Sequence, residues 1–517
     1  MRSSREVAMK RVLLVTLSLL KLARAGPEID AKASNYSFPD DFIFGVSSAA
    51  FQIEGGWNEG GKGESVWDSV VHNNPELIKD LTTADVAADS YHLFKDDIKI
   101  IKSLGVSSYR LSISWPRLLP NGTNQIINQE GVKYYRTVFE ELIKANITPL
   151  VTIYHWDMPK PVSDIGGWKN PKIIDYFVDY SRLVFDLYGD LVKFWITLNE
   201  PDLICQDVFH LDWYLPEEIN NKFGEYSCTR NILLAHARAY RLYEKEYKPH
   251  QNGKVAITLN SCFAVPKDPN NPEDVLAAES FLQFHIGTYA HPILSEEGDF
   301  PRFVRERVNN MSREQGLSES RLPYFTDEEI KALRGSSDIL GVNHYTTYLI
   351  SSSSMEPNWK IPSIAHDSGA KVNYNTSWAR PGSIWLRVNP PGIRKTLNWY
   401  DTQYNLQAKD IPILITENGL SDFGQTEDYE RVSYINNYMY QVLLAMKEDG
   451  CNVKGYYSWS LMDAFEWSDG YTITFGLFKV DFNSPNKTRT PKLSAYNYAN
   501  IVRTRRIDFD FIKLPTV

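Results

Sequence analysis

The chain has 517 residues, 43% of them hydrophobic and 13% aromatic, enough for a large buried core. A formal net charge of −9, with no basic stripe interleaved with aromatics, argues against nucleic acid or an anionic membrane as partner. Four cysteines without paired C-x-x-C spacing, and no His/carboxylate cluster at ligand spacing, argue against a zinc site.

The first segment has the layout of a secretory signal. Arg2, Arg5, Lys10 and Arg11 precede an apolar run from Val12 to Leu20, and Ala23-Arg24-Ala25-Gly26 follows as a small-x-small cleavage pattern. The run is far short of the ~20 residues needed to span a bilayer. We therefore expect a signal peptide at 1–25, a secreted protein, and one domain over 26–517. Six Asn-x-Ser/Thr sites, at Asn35, Asn121, Asn146, Asn310, Asn375 and Asn486, then become glycan acceptors where exposed. Asn146 abuts a run read as a buried strand, which makes it the doubtful one. In an oxidising compartment Cys205 and Cys228, flanking a polar loop, are expected to pair, and Cys262 and Cys451 to stay free and buried.

Downstream, short apolar or β-branched runs alternate with stretches of helical period. Eight runs read as strands: Phe42 to Val46, Ser108 to Ile113, Thr148 to Tyr154, Phe194 to Leu198, Val255 to Leu259, Ile339 to Tyr345, Ile413 to Thr416 and Gly455 to Ser458. Between them, Ser90 to Leu104 sets Tyr91, Phe94, Ile98 and Ile101 at helical spacing. Gly131 to Ala145 sets Tyr135, Val138 and Leu142 on one face, and Asp428 to Gly450 starts acidic and stops at glycine. Eight βα units predict an α/β fold, a single (β/α)8 TIM barrel with extended loops at its C-terminal face. The alternative, an open doubly wound sheet, lacks a Gly-rich phosphate loop after the first strand.

Polar residues gather where the strands end. Gln52 follows the first, Arg110 lies in the second, His155 follows the third, and Asn199 and Glu200 follow the fourth. Asn343, His344 and Tyr345 lie in the sixth, Glu417 follows the seventh and Trp459 the eighth. In a barrel these ends share one mouth. Glu200 and Glu417 alone would each pass for an ordinary strand-end glutamate. Together they supply the two carboxyls of glycoside hydrolysis, one protonated to assist the leaving oxygen and one ionised to attack the anomeric carbon. Trp115, Trp156, His92, His210, His236 and His344 are expected to be structural.

The motifs Phe42-Ile43-Phe44-Gly45, Phe51-Gln52-Ile53-Glu54-Gly55, Tyr109-Arg110-Leu111-Ser112-Ile113-Ser114-Trp115 and Tyr154-His155-Trp156-Asp157 carry a family resemblance. So do Asn199-Glu200-Pro201, Gly341-Val342-Asn343-His344-Tyr345, Thr416-Glu417-Asn418-Gly419, Tyr457-Ser458-Trp459-Ser460-Leu461-Met462-Asp463 and Phe465-Glu466-Trp467. From about Phe38 to about Arg505 the chain resembles glycoside hydrolase family 1, the retaining β-glucosidases and β-galactosidases. That resemblance implies a (β/α)8 barrel, a small-molecule glycoside as substrate, no cofactor, and net retention. It makes Glu200 the acid/base and Glu417 the nucleophile. Tyr345 would donate a hydrogen bond to the nucleophile, and Arg110 would pair with it. Gln52, His155, Asn199, Asn343, Glu466 and Trp467 would bind the sugar, with Trp459 as its apolar platform. Retention requires the two carboxyls roughly 5–5.5 Å apart, against about 8 Å for inversion.

Several features narrow this reading. An acidic Glu466 would repel a 6-phosphate. Plant-type thioglucosidases carry Gln at the acid/base position, and this chain has Glu200. Insect-type thioglucosidases keep both carboxyls and stay open, as does a transglycosidase. A non-catalytic sugar- or protein-binding barrel is disfavoured by retention of both. Two departures stand out. Gln206 to Pro216 brings Phe209, Trp213 and Tyr214 where the family has a glycine-rich loop, predicting a more aromatic aglycone side. Ala464 stands where Asn is usual. A homodimer is left open.

Overall fold

The computed structural model describes residues 36–206, 225–353 and 363–511. The expected signal segment, the Asn35 sequon, His210 and the aromatic stretch Phe209 to Tyr214 lie outside them.

All eight expected runs form strands, and they close on themselves. In chain order these are β1 (Ile43–Ser47), β2 (Ser108–Ser112), β3 (Thr148–Tyr154), β4 (Phe194–Asn199), β5 (Lys254–Asn260), β6 (Ile339–Asn343), β7 (Ile413–Asn418) and β8 (Val453–Trp459). Each pairs in parallel with its sequence neighbour. The pairing of β1 with both β8 and β2 seals the ring and leaves no edge. Closure rules out the doubly wound alternative.

The helices pack outside. Helix α1 (Ser90–Ser103) buries Ile98 and Ile101, and α2 (Gln129–Lys144) buries Tyr135, Val138, Phe139 and Leu142 along the expected face. The N-terminus of α2 is capped by the Asn128 side chain, which accepts from the Glu130 amide at 3.2 Å. Helix α3 (Ile173–Tyr188) and α4 (Tyr226–Leu242) follow β3 and β4. Helix α5 (Pro272–Leu282) runs into a π-turn at Gln283–Gly287. After α6 (Pro391–Tyr404), α7 (Tyr429–Lys447) is buried over most of its circumference, polar Arg431, Asn436 and Gln441 included, and α8 (Leu493–Thr504) closes the order.

Inside the barrel, Leu150, Ile196, Ala256, Ile339, Leu414 and Tyr457, one each from β3 to β8, pack as an apolar plug with Ile43 and Phe194. Gly45 on β1 makes room for it, since a Cβ there would sit 2.3 Å from the Tyr457 ring. Further along the strands the lumen turns polar. Arg110 Nε donates to Thr152 Oγ1 at 3.1 Å, and Thr258 and Thr416 hydroxyls meet at 3.2 Å. Outside the barrel, Phe263–Pro266, Thr347–Ser352 and Ala370–Asn373 form a three-stranded sheet, grown from the connections that follow β5 and β6.

Cys205 and Cys228 are disulfide-bonded, and Cys262 and Cys451 are free and buried. Asn146, doubted as a glycan acceptor because it abuts the run that forms β3, is exposed. It takes a left-handed φ of 61° in the turn that leaves α2, so its side chain points away before the buried run begins. Asn310 and Asn486 are also exposed, while Asn121 and Asn375 are half-buried. No helix among the described residues is long and apolar enough to cross a membrane.

The disulfide spans a sequence separation of 23 and tethers the segment just after Glu200 to the start of α4. Chain entropy for a loop of that length gives about 3 kcal/mol. The double substitution Cys205→Ser, Cys228→Ser is expected to lower the melting temperature. In a strong reductant the gap between wild type and variant should close; a gap that persists there means the serines disturb packing instead.

Candidate active site

The strand ends bring the predicted residues to one mouth by breaking strand regularity. A strand alternates its side chains, so neighbouring residues cannot both face the lumen. At the end of β4 the register against β5 slips between Ile196 and Asn199, and Glu200 adopts a left-handed φ of 47°. Asn199 and Glu200 therefore both turn inward. At the end of β7 the registers against β6 and β8 slip after Ile415, which lets Thr416 and Glu417 both face the lumen. Trp156 and Trp467 also hold left-handed φ values, 74° and 48°. Such backbone clusters where the surrounding fold over-determines a functional geometry.

Glu417 is 3% exposed and held from two sides. Arg110 Nη1 donates to its Oε1 at 2.5 Å, and the Tyr345 hydroxyl donates to its Oε2 at 2.6 Å. Arg110 Nη2 donates to Asn199 Oδ1 at 2.7 Å. The same oxygen accepts from Asn343 Nδ2 at 3.1 Å, and that nitrogen also lies 3.0 Å from Glu200 Oε1. One buried chain of hydrogen bonds thus joins the two carboxyls through a cation and two amides.

The two carboxyls are not equivalent. Burial pushes the Glu200 pKa well above the usual carboxylate range. The charges of Glu417 and Asp202 add to this, while Asn343 and Arg110 oppose it. Burial and the adjacent Glu417 hold the Tyr345 pKa well above the ordinary phenol value, so its hydroxyl keeps its proton and remains a donor. Glu417 has an arginine on it; Glu200 has only an amide. That asymmetry separates a site for a carboxylate from a site for a carboxylic acid.

The cavity above them encloses about 550 Å³, the scale of a small-ligand site. His155, Trp156, Glu200, Tyr345, Glu417, Trp459, Glu466 and Trp467 all line it. Gln52, Asn199 and Asn343 are fully buried behind the wall. Burial, reinforced by Arg110, holds the His155 pKa well below its usual value, so the ring is neutral. Asn199 Oδ1 is occupied by two donors, so its Nδ2, at 3.1 Å from His155 Nε2, is the donor there. Nδ1 of His155 then carries the ring hydrogen. That atom and Gln52 Oε1 are buried without a hydrogen-bond partner among the described residues. A donor and an acceptor left unpaired in a concave wall suit a hydroxyl-rich ligand.

Glu466 accepts from Gln52 Nε2 at 3.2 Å, and burial, with Asp469 nearby, pushes its pKa up to about 8. At neutral pH it holds its proton, so the charge repulsion of a 6-phosphate expected from sequence is weaker than the residue type implied. What disfavours phosphate is that the described wall has neither lysine nor arginine. The His155 ring lies near-parallel to Trp459 and Trp467, at 5.9 and 6.0 Å between centroids. No group of three His, Cys, Asp or Glu among the described residues could hold a metal.

The structural expectations divide. Trp115 stacks on Tyr180 in the core, His236 bonds the Thr197 hydroxyl, and His344 bonds the Ser261 carbonyl. His92 is exposed between Asp89 and Glu59. Trp156 is buried in the core, as expected, and its ring also lines the cavity and donates to the Asn199 carbonyl at 2.9 Å. Sequence reasoning missed Asp202, buried beside Glu200 and bonded by Asn260 Nδ2 at 3.0 Å, and also Phe281, His285, Tyr348 and Trp385 in the wall. Asp202 was findable from its place two residues past Glu200. The others sit in excursions outside the βα rhythm and give no local signal. Ala464 is buried.

Comparison with known proteins accords with this geometry. The glycosyl hydrolase family 1 model matches residues 34–507. Myrosinase 1 of Brevicoryne brassicae is 45% identical over 471 residues, 91% of this chain and 99% of the relative. The cytosolic beta-glucosidase of Cavia porcellus is 39% identical over 474 residues, 91% of this chain and 99% of that protein. The solved structure of an aphid myrosinase superposes with a TM-score of 0.84 at 43% identity, covering 91% of this chain and all of its own (100%). With its closed eight-stranded barrel and its family match, the chain belongs to glycosyl hydrolase family 1 and is a glycoside hydrolase.

Proposed function

We propose that the chain is a secreted, retaining β-glucosidase-type enzyme for O-linked β-glucosides, with Glu417 as nucleophile and Glu200 as acid/base. The observation that carries this is the asymmetry of two buried carboxyls in one cavity: Glu417 clamped by Arg110 and Tyr345, Glu200 pushed toward its protonated form. In this reading Glu417 attacks the anomeric carbon while Glu200 gives its proton to the departing aglycone oxygen. Once the ester forms, Glu417 no longer bears the charge that helped hold the proton on Glu200. Glu200 then takes a proton from the incoming water. Gln52, His155, Asn199, Asn343, Glu466 and Trp467 hold the glycone, and Trp459 faces its C–H side.

The likeness to a myrosinase supports a second reading, a thioglucosidase of the type that keeps both carboxyls. The wild-type kcat/KM for a matched pair of O- and S-glucosides separates the readings: a higher value for the S-glucoside favours the thioglucosidase. A transglycosidase would share the intermediate and differ only in its acceptor.

A signal peptide ending at Ala25 and glycans at the exposed Asn146, Asn310 and Asn486 belong to this proposal. The Cys205–Cys228 disulfide supports it, since such bonds persist in oxidising compartments. A mature chain starting at Gly26 is the expected result of N-terminal sequencing.

Glu417→Gly is expected to abolish turnover of an aryl β-glucoside, and azide to restore it with an α-glucosyl azide product. In the wild type, proton NMR at early times should show the β anomer of glucose; an initial α anomer would mean inversion and carboxyls too far apart for a covalent step. Glu200→Ala is expected to slow poor leaving groups by about 10²–10⁴-fold.

Glu200 must hold its proton, so kcat/KM falls as pH rises through its pKa. Asp202 helps keep that pKa high. Asp202→Asn retains an acceptor for Asn260 and removes the charge, so the alkaline limb is expected to move to lower pH by roughly 0.5–1 unit. A limb that stays put, or moves upward, would assign it to another group.

A further inference from the structure

The glycone residues account for only part of the cavity. Beyond them, an apolar stretch of the described wall comes from excursions outside the βα rhythm: α5 with its π-turn, the three-stranded sheet, and the segment before α6. The π-turn at Gln283–Gly287 widens the helix by a residue, so that Phe281, His285 and Ile286 all reach the cavity. His285 stacks on Phe281 with ring centroids 4.0 Å apart and planes 24° from parallel. Phe281 meets Tyr348 edge-on at 5.9 Å. Trp385 packs edge-on against Tyr345 at 5.7 Å, and Tyr345 holds Glu417, so this aromatic wall starts beside the reacting carboxyl.

Two further observations show what the wall accepts. Its rim is exposed and apolar: Ile384 is 67%, Tyr374 45% and Val372 39% exposed, yet all three line the cavity. Apolar surface left in water at a cavity mouth marks a place where another apolar surface comes to lie. The described wall also offers no free cation: no lysine or arginine lines the cavity, and Arg110 behind it is taken up by Glu417. His285 adds no cation, because its burial lowers its pKa to about 4. Gln206 Nε2 lies 3.4 Å from its Nδ1, an arrangement that leaves Nε2–H facing the cavity as an uncharged donor.

We infer that this wall selects glycosides of neutral, flat, apolar aglycones and rejects anionic ones, with Phe281, His285, Tyr348 and Trp385 as the specificity-determining residues. The inference rests on the β-glucosidase reading and deepens it. A flat aglycone covers the Phe281–Tyr348–Trp385 surface, where aromatic contact adds to burial. A carboxylate or sulfate on it would enter a low-dielectric space whose described wall supplies no counter-ion. The same logic weighs against a thioglucoside with a charged aglycone.

Three substrates test this on the full-length enzyme. β-Glucosyl fluoride has a leaving group too small to reach the wall. 4-Carbamoylphenyl and 4-carboxyphenyl β-glucosides are nearly isosteric and differ by one charge. We expect all three to be hydrolysed, with kcat/KM for the carboxylate lower by about tenfold or more than for the carboxamide, mostly through KM. His285→Ala and Trp385→Ala should lower the ratio of carbamoylphenyl to fluoride hydrolysis several-fold. Ile384→Ser, at an exposed site where folding is not at stake, should move the ratio the same way by less. Equal rates for the charged and neutral pair, or a ratio unmoved by all three variants, overturn this inference while fluoride hydrolysis leaves the glycosidase reading intact. Failure to hydrolyse even the fluoride overturns both.

Discussion

A guanidinium buried in the lumen of a closed barrel organises this molecule. Arg110 is 1% exposed and spends its donors on Thr152, the Thr416 carbonyl, Glu417 and Asn199. A buried charge without a partner costs several kcal/mol, so the arginine and Glu417 hold each other in place. The planar fork of the guanidinium fixes where Asn199 can sit, and Asn199 in turn orients Asn343 and His155. The difference between the two glutamates follows from that one cation: it sits on Glu417 and reaches Glu200 only at a distance, through amides.

The barrel supplies the rigidity this arrangement needs. An apolar plug from β3 to β8 fills one part of the lumen, and a threonine and amide layer occupies the next. The carboxyls stand above both. Regular strands could not present Asn199 with Glu200, or Thr416 with Glu417, on the same side. The register slips at the ends of β4 and β7 and the left-handed backbone of Glu200 do so. Local irregularity here is supported by a closed hydrogen-bonded ring, which leaves the deformed residues little alternative.

Outside that ring the chain has more freedom, and it uses it on the side of the cavity proposed for the leaving group. The residues proposed to hold the glycone lie at the strand ends or in the short segments just after them, where the barrel fixes them. Those of the apolar wall come from a π-turn, an accessory sheet and a connecting segment, which can vary without disturbing closure. In the reading proposed above, their aromatic character and want of a cation set what can depart, while the carboxyl pair sets how it departs.

The sequence by itself determined the eight strands, because each is a short β-branched or aromatic run between helices of clear period, and their count and order imply a barrel. It also named Arg110, Glu200, Tyr345 and Glu417, since strand-end residues share a mouth in that architecture and the motifs around them are specific. The exposed Asn146 was misjudged because a one-dimensional reading places a residue beside a strand, whereas the turn geometry decides which way it points. Trp156 was read as core and is buried there; that it also lines the cavity was not legible locally, because an indole is equally at home in both. Only the tertiary structure decided that Asp202 bears on Glu200, that Glu466 keeps its proton, and that Phe281, His285, Tyr348 and Trp385 meet in one wall. Proton affinity depends on burial and on charges brought close by folding, and neither burial nor closeness is written in the local pattern of residues.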